Sequence, residues 1–263
     1  MVLTKPKVSQ KQKHHKTKTT NFFNLNNITM ASLQNCVDWN TNAVALTLAG
    51  RKDEAIVTIK KSLKVLETLF NASKQQGMDI HSKPSTSTSH QAQHSPIVSV
   101  PILDAQQACA NVNSPANLFT FYPRMFRIVD SSNLGISQLL VVLLFNLAVT
   151  SHVDAISEEE PQPAHLRKVL ELYETAMRVA HTAWCPEDAQ TLLSVLIALT
   201  NNVGHIHSHL LNFQQTRESL ALQMHLLGQA TEESPLAMED YEVFFESVCI
   251  YLDGNDLCLA PAA

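Results

Sequence analysis

Apolar positions between residues 31 and 73 fall into two sets. Val44, Leu46 and Leu48 close a first segment; Ala55, Ile56, Ile59, Leu63 and Leu66 follow the i, i+3, i+4, i+7 stripe of a helix with one buried face. Gly50 lies between them, where a helix C-terminus favours a left-handed residue. Asp53 and Glu54 then open the second helix at its positive dipole end, with Lys60, Lys61 and Lys64 further along. The pattern predicts a helical pair over 31–73. Residues 74–95 are polar and low in complexity and read as a linker or large loop. In 97–130 the signal changes to β-branched and aromatic residues: Ile97 to Leu103 and Phe119 to Ile128 are expected to pair as a small β-hairpin. Pro101 and Pro123 confine it to edge geometry, and it needs helices to pack on. Helical periodicity returns after Ser132, predicting helices near 136–152, 164–180, 186–210, 213–230 and 236–252. Pro186, Glu187 and Asp188 form the first turn of the third of these. An acidic loop covers 157–163, and 253–263 form a loose end.

Parts of the first pair recur. Trp39, Ala43, Leu46, Gly50, Ala55 and Ile59 stand at spacings that resemble the tetratricopeptide repeat, with Asn42 and Ser62 departing from it. A second unit aligns through Asn146, Leu147 and Ala148, then Val169, Tyr173 and Ala176. A third aligns through Asn202, Val203 and Gly204, then Asn212, Phe213, Thr216 and Leu220, with Leu211 where the turn glycine belongs. The units begin near residues 36, 141 and 197, so the array is irregular. The FNLA, NNVGHIHS and FTFYPRMF stretches and the terminal APAA also resemble the lineage-expanded tetratricopeptide-like proteins of diatoms. The resemblance implies an all-α fold, an irregular α-α superhelix with a small β-hairpin insert and a disordered N-terminus. It adds no activity.

Composition divides the chain differently. Residues 1–37 carry six lysines and no acid; the remainder holds 13 Lys and Arg against 24 Asp and Glu, a formal charge of −11. Residues 1–30 read as a disordered basic tail, and 31–263 as one acidic helical domain. The five cysteines are scattered without C-x-x-C spacing, which argues against a disulfide framework and for an intracellular protein, cytoplasmic or nuclear. The longest apolar run, 139–145, falls well short of the roughly 20 residues that span a bilayer.

By the resemblance, first helices line a concave groove. Its positions here are Asn40, Val44 and Leu48; Phe145, Val149 and His152; and Asn201, His205 and His209. The set is mostly neutral and apolar. Of a carboxylate-clamp pattern only Asn146 falls at a matching position. His205 and His209 share one helix face and could ligate a metal, but two imidazoles without a third ligand make an incomplete site. His207 falls at a packing position, and Cys185 is the one cysteine at a predicted helix start. No nucleophile elbow, P-loop or dinucleotide fingerprint occurs. The expectation is a protein–protein interaction scaffold without catalysis, cofactor or metal, holding a peptide or helix of a partner in the groove. The alternative is a nuclear or RNA-associated accessory protein acting through the Lys-rich tail, although an acidic body disfavours nucleic acid. The insert 74–130 could itself fill the groove.

Overall fold

The computed structural model describes residues 15–75, 95–102, 119–130, 134–157, 161–182, 189–230 and 238–255, with side chains of the first helix from Met30 onward. Among them are seven helices and two strands: α1 (His15–Leu48), α2 (Lys52–Gln75), β1 (Ile97–Pro101), β2 (Arg124–Ile128), α3 (Ile136–Ser157), α4 (Pro163–Thr182), α5 (Ala189–His209), α6 (Phe213–Gln229) and α7 (Met238–Asn255). The chain is mostly helical with one two-stranded antiparallel hairpin. The helices from α1 to α6 pack chiefly on their sequence neighbours, α7 touches both α5 and α6, and β2 lies against α1 and α3.

The predicted helices are present, with one correction at the amino end. α1 starts at His15, so residues 15–30, assigned above to a disordered tail, are helical. Neither glycine nor proline occurs between His15 and Leu48, and a helix nucleated by its packed half can propagate without a new nucleus. Residues 76–94, the acidic triplet 158–160, and Cys185 with Pro186 lie outside the described residues.

Helix faces follow local composition. In α4 the buried residues Leu166, Val169, Leu170, Tyr173, Ala176 and Ala180 make one stripe. α3 is apolar nearly all round and buried on nearly all sides, as expected of a central helix. It is long and apolar enough to cross a membrane, yet 78% of its apolar window is covered by the rest of the protein. Ser62, which replaces a repeat alanine, is fully buried where α1 meets α2. Its hydroxyl donates to Cys36 O (3.5 Å) and the Cys36 thiol donates to Ser62 O (3.8 Å), so a small polar residue closes that contact without an orphan.

Two turns share one geometry with different residues. At the end of α1, Gly50 N–H bonds Thr47 O (3.0 Å) and Arg51 N–H bonds Leu46 O (2.9 Å); at the end of α5, Leu211 N–H bonds Ser208 O (3.1 Å) and Asn212 N–H bonds His207 O (2.9 Å). Both are Schellman motifs whose pivot residue is left-handed, at φ 74° for Gly50 and 57° for Leu211. The third unit keeps the turn and takes the strain of a leucine in it.

The hairpin forms as the sequence predicts, with shorter strands. Ile97 pairs with Ile128 and Pro101 with Arg124. Residues 119–123 precede β2 without strand pairing, and Pro123 there has no N–H to give a ladder.

Candidate functional site

Residues 119–128 run through the interior as a strap. Phe119, Phe121, Tyr122, Met125, Phe126 and Ile128 are each at most 2% exposed. Side chains pointing to both sides are buried, those of Phe126 and Tyr122, for example, meeting Phe145 of α3 and Phe244 of α7. Fully burying six such side chains contributes about 1.5–3 kcal/mol each.

A buried extended segment must still satisfy its peptide groups. One edge of β2 pairs with β1. The other edge meets asparagines instead of a strand. Asn146 of α3 accepts from Phe126 N–H (2.8 Å) and donates to Phe126 O (2.8 Å). Asn40 of α1 donates to the same carbonyl (3.2 Å) and accepts from Ile128 N–H (3.0 Å). Asn202 of α5 repeats the pattern on Tyr122, accepting from its N–H (2.9 Å) and donating to its carbonyl (3.2 Å). Asn201 donates to Thr120 O (2.8 Å), and Thr120 N–H donates to Ser247 of α7 (3.1 Å). Three inner helices thus each hold the backbone of the strap through a primary amide, which carries both a donor and an acceptor.

This decides where the nine predicted groove residues stand. Asn40, Val44, Phe145, Val149, His152, Asn201 and His205 are buried, and His209 is half-buried; Leu48 is exposed. The structure brings several of them against the chain's own strap. Phe145 meets Phe126 (ring centroids 5.1 Å), and His152 and His205 flank Phe121 (4.4 and 5.5 Å). The expectation of an open groove is therefore corrected. Inserts of any length leave the helix pattern unchanged, so periodicity carries no record of the strap's return. Asn146, the lone match to a carboxylate clamp, holds a backbone amide and carbonyl. Sequence reading passed over Asn202 as a ligand-holding residue and used it only as a packing marker. Asn146 and Asn202, each in a strongly apolar helix, were the available signal.

Beside Phe121 lies a file of polar rings whose proton positions follow from their neighbours. Asn202 is oriented by Tyr122, so its Nδ2 donates to the Tyr173 hydroxyl (3.1 Å). That hydroxyl gives its own proton to His152 Nδ1 (3.3 Å). His152 then carries its proton on Nε2 and donates to His205 Nδ1 (3.2 Å). His205 in turn carries its proton on Nε2, a buried atom with no partner among the described residues; His209 Nε2, on a ring 4.6 Å away, has none either. Burial holds His152 at a pKa of about 3 and pushes His205 well below the ordinary imidazole value, with His209 also lowered. Burial likewise drives the Tyr173 phenol well above its usual range. A metal on His205 Nε2 would need a lone pair there and would reverse the His205–His152 and His152–Tyr173 bonds. Among the described residues no group of three or more His, Cys, Asp or Glu side chains is placed to hold a metal ion.

The other side of the strap is tied to α7. Asp240, 1% exposed, accepts from Ser99 of β1 (2.8 Å) and from the Tyr122 hydroxyl (3.0 Å) and lies 3.1 Å from Arg124 Nε. Tyr122 packs on Phe244 (ring centroids 4.8 Å). Ser247 donates to Asn201 Oδ1 (3.1 Å), which Gln223 of α6 also reaches (3.3 Å). His207 is buried, as its packing position implies.

No protein family, curated protein or solved structure matches this chain.

Proposed function

We propose that the protein is a non-catalytic, tetratricopeptide-like interaction scaffold that holds extended peptide on an asparagine-lined face. The strap is its resident occupant. The observation that carries this reading is the repeated clamp: Asn40, Asn146 and Asn202 each bind both polar groups of an extended backbone or bridge adjacent ones. Such contacts select extended conformation rather than side-chain identity, which pockets such as that around Phe121 then supply.

The two halves of the strap differ in what holds them. Residues 124–128 are paired with β1 and clamped by Asn40 and Asn146. Residues 119–122 have no strand partner and depend on side chains of α5 and α7. The half that a partner's aromatic-bearing extended segment replaces is therefore 119–122. The absence of catalysis rests on the engagement of the buried histidines and asparagines with each other and with the chain's own backbone.

A fluorescent peptide of residues 117–123 tests this against the full chain carrying Phe121→Ala. Saturable binding, weaker to the unsubstituted chain and lost when Asn202→Ala is added, is the expected result. Circular dichroism confirms that each variant is folded. Equal binding with and without Asn202, or none to the folded Phe121→Ala chain, overturns the reading.

A further inference from the structure

We infer that His152, His205 and His209 form an acid-sensitive latch on the first half of the strap, so that proton uptake frees residues 120–122 while 124–128 stay paired with β1. The geometry is the argument. The file runs from Asn202, which holds the Tyr122 peptide, through Tyr173, His152 and His205 to the half-exposed His209, where a proton from solvent enters. Each ring nitrogen inside the file already donates or accepts in a single direction. A second proton on His152 or His205 sets two donors against each other, between the rings or at the Tyr173 hydroxyl, and so disturbs the hydroxyl to which Asn202 donates.

The groups facing the latch come from every element around it: His152 from α3, Tyr173 from α4, His205, His209, Asn201 and Asn202 from α5, and Phe121 from the strap. Burial is the leading cause at all three histidines, the charges acting on His152 and His205 come from other histidines, and among the described residues no carboxylate acts on them. Glu174 and Glu218 act instead on His207. Separation of the rings is the available relief. Phe121 sits against both His152 and His205, so the strap moves with them. The strap's other half contains no histidine contact among the ring pairs, and its two clamps, Asn40 and Asn146, are on α1 and α3.

This inference deepens the proposed reading by naming what regulates its site, and hydrogen exchange tests it without any peptide. The Tyr122 amide bonds Asn202, whereas the Phe126 and Ile128 amides bond Asn146 and Asn40. With exchange corrected for its intrinsic pH dependence, Tyr122 protection should fall about 100-fold per pH unit below pH ~6.5, the signature of two coupled protons. Phe126 and Ile128 should stay more protected than Tyr122 at every pH and weaken only with the global stability measured by urea at the same pH. His205→Met, which removes one of the protons, should reduce the slope to about tenfold per unit. A flat Tyr122 profile, or Tyr122 protection equal to that of Phe126 and Ile128 at every pH, overturns the latch. If His205→Met does not fold, the comparison of the amides in the unsubstituted chain still decides. Proton-linked opening together with failed peptide binding would remove the binding reading alone.

Discussion

Asn146 and Phe126 exchange two hydrogen bonds of 2.8 Å, side-chain amide against backbone peptide, so that one asparagine stands in for a missing neighbouring strand. Loss of that amide orphans a buried N–H, while Phe126 O keeps Asn40 as a partner. Asn146→Ala should therefore destabilise the protein by about 1–3 kcal/mol. Asn146→Asp, which sets an anion against the Phe126 carbonyl, should cost more. Urea midpoints at constant slope measure both, and an Asp variant as stable as the Ala variant would contradict this account.

The two Schellman turns give a matched pair of opposite substitutions. Leu211 takes a left-handed conformation that costs a side-chain-bearing residue roughly 1–2 kcal/mol, and its side chain is 63% exposed, so little packing is returned. Leu211→Gly should stabilise by about 0.5–1 kcal/mol after the glycine's greater unfolded-state entropy is deducted. Gly50→Ala, with no atom within 4 Å of the added carbon, should destabilise by about 1 kcal/mol through φ alone. Thermal melts of both variants check the signs.

Gly204 is a helix glycine of a different kind. A Cβ there would lie 2.5 Å from the Phe119 ring. Alanine's helix propensity favours the substitution by about 1 kcal/mol, but overpacking of a closed contact costs about 1–3 kcal/mol. The clash should win, making Gly204→Ala destabilising. Phe119→Leu should partly relieve it, so a double-mutant cycle on the pair should show favourable coupling, and simple additivity would count against the contact.

Acid should weaken the whole fold as well as the strap. His152 binds its proton at about pH 3 when folded and near 6.5 when unfolded, so between these values the unfolded state holds more protons. Its contribution to stability is complete above pH ~6.5 and declines as pH falls; at pH 5 the loss from this residue is about 2 kcal/mol. His205 adds in the same direction. Urea midpoints from pH 7.5 to 5 should fall steadily, and less steeply in His152→Phe. Parallel profiles would show that this histidine is not the source.

Periodicity alone located the helical pairs, because a buried stripe must recur every 3.6 residues wherever it faces. It also identified the hairpin segments, from β-branched and aromatic residues bounded by prolines, and marked Leu211 as the residue occupying a glycine's turn. It missed the helical reach of α1 back to His15, where polar Lys and Thr composition concealed an uninterrupted helix. Most of all, the groove positions were read as an open surface, whereas most of them are buried and several touch the strap. A side chain's face is local information, whereas its occupant is set by residues 20 to 88 positions away, such as Phe126 on Asn146 and Ile128 on Asn40. The sequence by itself determined most of the helices, the hairpin segments and the turn at Gly50, and left the occupant of the expected groove open. Tertiary structure alone decided that the strap fills it, because an extended segment buried among helices needs partners for its peptide groups, and three asparagines supply them.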